Sequence, residues 1–357
     1  MDAHILVINP GSTSTKIAVF KNRQEKLLLN IKHKSEDLAQ FKKIADQFEF
    51  RKNKVKEVLD KAGIDLNLIN VVVGRGGLLK PMQGGAYRVN DNLITDIRQP
   101  MGEHESNLGG VIAYEFAKEI GGDAFAMIVD PTCVDEMEDI ARISGMPEAP
   151  RRSFLHALNQ KATARRFAKE NNIKYEDINV IVAHMGGGIS VGAHKKGKVI
   201  DVNNGLNGDG PMTPERSGGV PAGQLIDLCF SGNYTHEQIK QKIKGKGGLF
   251  AYLGTSDAIE VEDRIKNGDE YAKLIYMTIA YQVAKEIGSL STVLKGDVDG
   301  ILLTGGLAYG TILTDDISDR VKHLGVVKIY PGEGEMEAMA MNAYLVFAGE
   351  IELKDYI

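Results

Sequence analysis

The chain has 357 residues, 43% of them hydrophobic and 25% charged, with a formal net charge of −5: the balance of a soluble globular protein with room for two ordinary domains. The negative balance argues against a general nucleic-acid-binding surface and leaves room for a local cationic pocket. Only Cys133 and Cys229 are present, without metal-type spacing; no signal peptide or membrane-length apolar run is visible, so the expectation is a cytoplasmic protein with neither a membrane nor a nucleic-acid partner.

Residues 5–8 form a short apolar run of strand type, broken at Asn9-Pro10-Gly11, a strong turn signal. Ser12, Thr13, Ser14, Thr15 and Lys16 follow, and residues 17–20 are apolar again. This predicts a β-hairpin whose tip carries small donors, a flexible glycine and one cation. Such a tip suits a phosphate; an ordinary polar hairpin accounts for the loop alone equally well. It is not a Walker loop, because the Gly-x-x-x-x-Gly-Lys-Ser/Thr spacing and a following helix pattern are missing. Residues 26–32 suggest a third strand, 37–62 a charged amphipathic helix ending at Gly63, and 69–73 a strand running into Gly74-Arg75-Gly76-Gly77. Residues 111–120 read as helix, and 124–129 as a strand that delivers Asp130 at its C-terminal end.

The pattern then repeats in kind. A helix over 155–170 precedes a strand at 180–183, which breaks at His184-Met185-Gly186-Gly187-Gly188 and returns at 189–194. Residues 269–294 are a long helical region, 300–303 a strand ending in Thr304-Gly305-Gly306-Leu307, 326–330 a strand and 336–347 a helix. Alternating strands and helices indicate an α/β class. The best candidate for a crossing between halves is 147–152.

The run Asn-Pro-Gly-Ser-Thr-Ser-Thr-Lys resembles the first phosphate loop of the acetokinase family of carboxylic-acid kinases, which carries Asn-x-Gly-Ser-Ser-Ser-x-Lys there. Pro10 leans toward the butyrate kinase branch, and the resemblance covers nearly the whole chain. It implies the actin-like ATPase (ribonuclease H-like) fold shared with sugar kinases and heat-shock chaperones: two similar α/β domains, 1–152 and 153–334, with 335–357 crossing back to the first and a nucleotide cleft between them. It further implies reversible phosphorylation of a small short-chain carboxylate, with ATP/ADP and Mg²⁺ as cofactors, by a homo-oligomer. Two hairpin loops in different halves can touch the same phosphates only if the halves approach.

Phosphoryl transfer needs cations and donors around the moving group, a metal and exclusion of water. By resemblance, Asn9, Ser12, Thr13, Ser14 and Lys16 hold the first phosphate loop. Arg75 and Arg216 both sit among turn residues and match two active-site arginines of the family; a planar guanidinium holds a carboxylate or phosphoryl group through two donors. A lone arginine of this kind reads first as a surface charge; two at matching positions reverse that preference. Asp130 is implied to orient the attacking group or the Mg²⁺ shell, although a carboxylate at a strand end also caps helices. His156, in Ser-Phe-Leu-His-Ala-Leu-Asn, stands where the family has an active-site histidine in Phe-His-Gly-Thr-Ser-His; a structural histidine fits the same place. His184 with Gly186, Gly187 and Gly188 resembles the second phosphate loop, His-Leu-Gly-Asn-Gly, with Gly187 in place of the asparagine. Gly305, Gly306 and Leu307 resemble the adenosine loop. Asp257 resembles the nucleoside-contacting Asp of Ser-Ser-Asp-Phe-Arg, the Phe-Arg being replaced by Ala258-Ile259. Glu335, or Glu337 two residues on, takes the place of the Mg²⁺-associated glutamate; acids in a first helical turn are also ordinary dipole partners. Butanoate is the expected acceptor. The alternatives are branched short-chain acids, acetate or propionate, and, from a different class, a chaperone-like or actin-like ATPase switch, which would not require the two arginines.

Overall fold

The apolar runs of the sequence become the buried strands of two sheets. The computed structural model describes residues 2–98 and 104–357. Among these the strands are β1 His4–Pro10, β2 Ser14–Lys21, β3 Gln24–Lys32, β4 Val71–Arg75, β5 Ala86–Arg88, β6 Phe125–Val129, β7 Asn179–Met185, β8 Ile189–Lys195, β9 Lys198–Val202, β10 Gly300–Gly305, β11 Val327–Pro331 and β12 Leu353–Asp355. By contacts the chain divides into two units, Met1–Val134 with Gly334–Ile357, and Asp135–Glu333.

The first unit holds a seven-stranded sheet in the order β12-β5-β6-β4-β1-β2-β3. β1 pairs antiparallel with β2 and parallel with β4, and β4 pairs parallel with β6. Ile5, Leu6, Val7 and Ile8 of β1 and Val71, Val72 and Val73 of β4 are all buried, as strands covered on both faces must be. The helix Asn107–Ile120 lies so close to β4 that a Cβ on Gly74 would overlap the backbone of Gly109. That approach packs the C-terminal end of β4, which carries Arg75, against the helix start.

The second unit holds a five-stranded sheet, β11-β10-β7-β8-β9. Its order repeats β6-β4-β1-β2-β3 of the first: a hairpin, a third antiparallel strand on one side and two parallel strands on the other. The helix Glu270–Val293 buries Ile275, Tyr276, Ile279, Val283 and Ile287 in one core with Val191, Ile301 and Leu303. Among the described residues no helix is long and apolar enough to cross a membrane.

Two expectations change. The single helix expected over 37–62 is three pieces, Ser35–Ala39, a 3₁₀ turn Ile44–Gln47 and Phe48–Lys61. Asp46 accepts from the Lys43 N–H at 3.2 Å, a local cap that starts a new turn instead of continuing the old one. The change of unit falls after Val134, ahead of the crossing expected at 147–152. Residues 135–152 are tied to the second unit: the Glu138 N–H donates to Ile200 O at 2.9 Å, Glu136 pairs with Lys161 at 2.8 Å, and Arg151 pairs with Asp201 at 2.9 Å. Strands β5, β9 and β12 are additional to those expected.

Candidate active site

In the first unit, strand register assembles one cluster. Ile8 is level with Gly74, and Arg75 with Val129, so Asn9, Arg75 and Asp130 stand at neighbouring ends of parallel strands. The helix Glu335–Phe347 starts at the same place. The buried Glu335 carboxylate forms an ion pair with Arg75 Nη1 and accepts from Asn9 Nδ2 at 2.8 Å. Glu337 is exposed, so Glu335 is the helix-start acid that belongs to the cluster. Lys16 is the cross-strand partner of Asn9, which sets both on the same face of the sheet. Asp130 is buried. Its backbone is left-handed (φ +37°); its Oδ1 accepts from the Gly85 N–H at 2.7 Å, and its own N–H returns to Gly85 O at 3.0 Å. It clamps the turn that leads into β5.

Ser12 and Thr13 are exposed at the hairpin tip and Ser14 is half-buried. Thr15 is different: fully buried, its Oγ1 is bonded to His33 Nε2 at 2.8 Å and accepts from Arg51 at 3.2 Å. Arg51 organises the loop. It is itself fully buried, and donates to Gly11 O (2.8 Å), Ser14 O (2.9 Å) and Ser12 O (3.1 Å), while Gln47 Oε1 accepts from its other edge (2.8 and 3.0 Å). In a trans peptide the C=O and the next N–H point in opposite directions. Carbonyls drawn down onto Arg51 therefore turn the N–H groups of Ser12 and Thr13 outward, the arrangement of an anion-binding nest. Burial, with the Arg51 charge as the next contribution, pulls His33 down to about 4, so Thr15 bonds a neutral ring. Arg51 escaped the sequence reading. Its signal is there: with Val55 and Leu59 it completes the buried stripe of its helix, and a charge in that register needs partners.

In the second unit the β7–β8 turn carries the glycines, closed by a Gly186 N–H to Gly188 O bond of 3.0 Å. His184 and His156 come together as stacked rings, with centroids 3.9 Å apart and 15° between planes. His156 stands immediately before the helix Ala157–Glu170. The Arg216 guanidinium packs on Gly188, where a Cβ would overlap it, and Nη1 donates to Gly205 O. Among the described residues its buried Nε has no hydrogen-bond partner, an orphaned donor beside a glycine turn. Burial pulls this guanidinium below its ordinary range, with the Glu215 charge opposing. Thr213 ties the two loops: its Oγ1 donates to Gly187 O at 2.7 Å and accepts from the Arg216 N–H at 3.0 Å.

A pocket of about 300 Å³ in this unit is lined by Gly186, Gly187, Glu215, Asp257, Gly306 and Leu307 among others. Asp257 also caps the helix Ala258–Lys266, accepting from the Ile259 N–H at 2.9 Å. Gly305 does not line the pocket. Its φ is +91° and a Cβ would enter the Met185 backbone, so it is the glycine that lets β10 end against β7. Among the described residues no group of three His, Cys, Asp or Glu is placed to hold a metal by itself.

The model of the acetokinase family matches residues 148–334. The chain is 54% identical over 357 residues, all of both chains, to butyrate kinase 2 of Clostridium acetobutylicum. Among solved structures it is similar to the acetate kinase of Porphyromonas gingivalis (21% identity, TM-score 0.77, covering 97% of this chain and 100% of that one). It is likewise similar to a propionate kinase from Francisella tularensis (19% identity, TM-score 0.76, 95% and 98% covered). The structural likenesses establish the fold, two units of the actin-like ATPase kind, and with the full-length relative and the family match, the chain belongs to the acetokinase family.

Proposed function

We propose that the protein is a butyrate kinase, moving the γ-phosphoryl group of ATP to a carboxylate oxygen of butanoate to give butanoyl phosphate and ADP, and running the reverse reaction. The observation that carries the reading is that each unit combines a strand–turn–strand hairpin with an arginine held in place: Arg75 with Asn9 and Glu335, and Arg216 on Gly188. A water-activating ATPase needs no such pair.

In the first unit the Ser12 and Thr13 N–H groups and Lys16 suit phosphate oxygens, and in the second unit the pocket between Gly186, Asp257 and Leu307 suits a nucleoside. Arg75 binds the carboxylate of the acid. Arg216, with an uncommitted buried Nε, meets the charge that grows on the equatorial oxygens in the transition state. His156 donates to one of those oxygens. Asp130 keeps the strand end beside Arg75 in register. Mg²⁺ commonly takes one or two carboxylates and completes its shell with water and phosphate oxygens, so the buried carboxylate of Glu335 would hold it in this cluster. An ion held there would supply charge neutralisation at the phosphate oxygens. We also propose a cytoplasmic homo-oligomer. The helix Ala222–Phe230 buries none of its residues, and Ile226 and Phe230, one turn apart on the same face, are 57 and 86% exposed, a face that a second copy would cover.

The test is a panel of acids from acetate to hexanoate, including 2-methylpropanoate, incubated with Mg-ATP and hydroxylamine. Hydroxamate should form fastest with butanoate or its branched isomer. ATP consumption with no hydroxamate from any acid would overturn the proposal.

A further inference from the structure

Behind His156 a line of buried polar side chains runs through the second unit, and its donors and acceptors can be assigned one by one. Gln160 Nε2 lies 2.9 Å from the Ser190 carbonyl oxygen, which can only accept. That fixes the amide: Nε2 donates there and, at 2.8 Å, to Ser190 Oγ, and Oε1 faces His194 Nε2 at 2.9 Å. An amide oxygen cannot donate, so His194 carries its proton on Nε2. His194 is fully buried, and that burial, with Lys161 and Arg165 adding to it, holds it well below the usual imidazole range, hence neutral. Its Nδ1 is then an acceptor, and Tyr175 donates to it at 2.7 Å.

The same bookkeeping closes at Ser190. Its Oγ receives Gln160 Nε2–H and the His156 backbone N–H (3.3 Å), which fills both lone pairs. The residue is fully buried, and among the described residues its hydroxyl has no acceptor besides His156 Nδ1, at 2.9 Å. The Ser190 proton therefore points at Nδ1, which must hold a lone pair. Every bond from Tyr175 to His156 runs in one direction.

We propose that Ser190, oriented by Gln160, is a positioning residue that fixes His156 as the Nε2–H tautomer, so that the ring offers an N–H donor rather than a lone pair to the transferred phosphoryl group. The use of that donor rests on the kinase reading; the tautomer does not. The neighbouring ring is fixed the other way. Asn159 Nδ2 donates to Glu333 O at 2.5 Å, so its Oδ1 must accept from His184 Nδ1–H at 2.7 Å. The stacked pair thus carries opposite tautomers.

The experiment is long-range ¹H–¹⁵N correlation on the full-length chain labelled with [¹⁵N]histidine, with His156 assigned by its loss in His156→Asn. In the wild type, His156 Nδ1 should resonate as an unprotonated nitrogen and Nε2 as a protonated one. Gln160→Glu, nearly isosteric, replaces the donor facing Ser190 by an acceptor; the hydroxyl turns to it, and His156 should switch to the Nδ1–H form. Ser190→Ala should let both tautomers exchange, and in the hydroxamate assay lower kcat, by less than the roughly 10²- to 10³-fold that removing a preorganised hydrogen-bond donor outright costs, with KM for ATP unchanged. Ser190→Thr should restore both signals. A wild-type His156 protonated on Nδ1, or a Gln160→Glu protein with an unaltered His156 pattern, would overturn the proposal. The expected tautomer in a protein that makes no acyl phosphate would overturn the kinase reading instead.

Discussion

Replacing Arg51 by methionine keeps a long unbranched stem in the core and deletes the guanidinium. The loss is four hydrogen bonds into the hairpin, to Gly11 O, Ser12 O, Ser14 O and Thr15 Oγ1, and the two to Gln47. Hydrogen bonds to a charged group are worth about 1.5–3 kcal/mol each, but removing a buried charge also removes its desolvation cost. The tip at Ser12 is exposed, so water replaces part of what is lost. A net destabilisation of about 2–4 kcal/mol follows from that balance. Function should suffer separately, because the Ser12 and Thr13 N–H groups lose their fixed outward aim. A loss of about 1.4–2.8 kcal/mol of phosphate binding corresponds to a 10- to 100-fold rise in KM for ATP. Arg51→Lys should fall between, since an ammonium cannot span carbonyls on both sides of the turn. Urea unfolding followed by circular dichroism gives the first number and hydroxamate kinetics the second. A folded Arg51→Met protein with the wild-type KM for ATP would refute the claim that Arg51 shapes the phosphate loop.

Arg216→Ala should lower kcat by about 10³-fold or more with the fold retained; wild-type turnover would remove Arg216 from the reaction. Arg75→Ala should raise KM for the acid and lower kcat, and unchanged values of both would exclude it from the carboxylate site. EDTA should abolish turnover and Mg²⁺ or Mn²⁺ restore it, whereas metal-free turnover at full rate would contradict a phosphate-bridging cation. His33, brought down to about 4 in the fold from an unfolded value near 6.5, makes the unfolded state bind the extra proton. Its contribution to stability is full above about pH 6.5 and is lost toward pH 4, and His33→Asn should flatten that part of the stability profile measured by urea titration. Phe230→Glu should reduce the sedimentation coefficient by splitting an assembly; an unchanged coefficient would place the interface elsewhere.

The fold was legible because its strongest signals are local. The hairpins at Asn9 to Lys16 and His184 to Gly188 announce themselves as apolar runs around turn residues, and the repeated sheet order follows from them. Short edge strands such as Leu353–Asp355 carry too little apolar pattern to read alone. Arg75, Asn9 and Glu335 were each visible, but their meeting depends on parallel register and on a helix start more than 250 residues beyond Arg75 in sequence, which no local pattern records. Glu335 and Glu337 are distinguished only by burial. Arg51, Ser190 and Gln160 are polar residues inside the core; what they do is set by partners brought in from distant segments.

The central claim is that the acceptor of the phosphoryl group is a short-chain carboxylate. Phosphorus NMR of the enzyme with Mg-ATP and butanoate carrying a ¹³C carboxyl tests it directly. Equal amounts should form of ADP and of an acyl phosphate whose phosphorus is coupled to the labelled carbon, with Arg216→Ala producing neither. ADP accompanied only by inorganic phosphate, independent of butanoate, would contradict it.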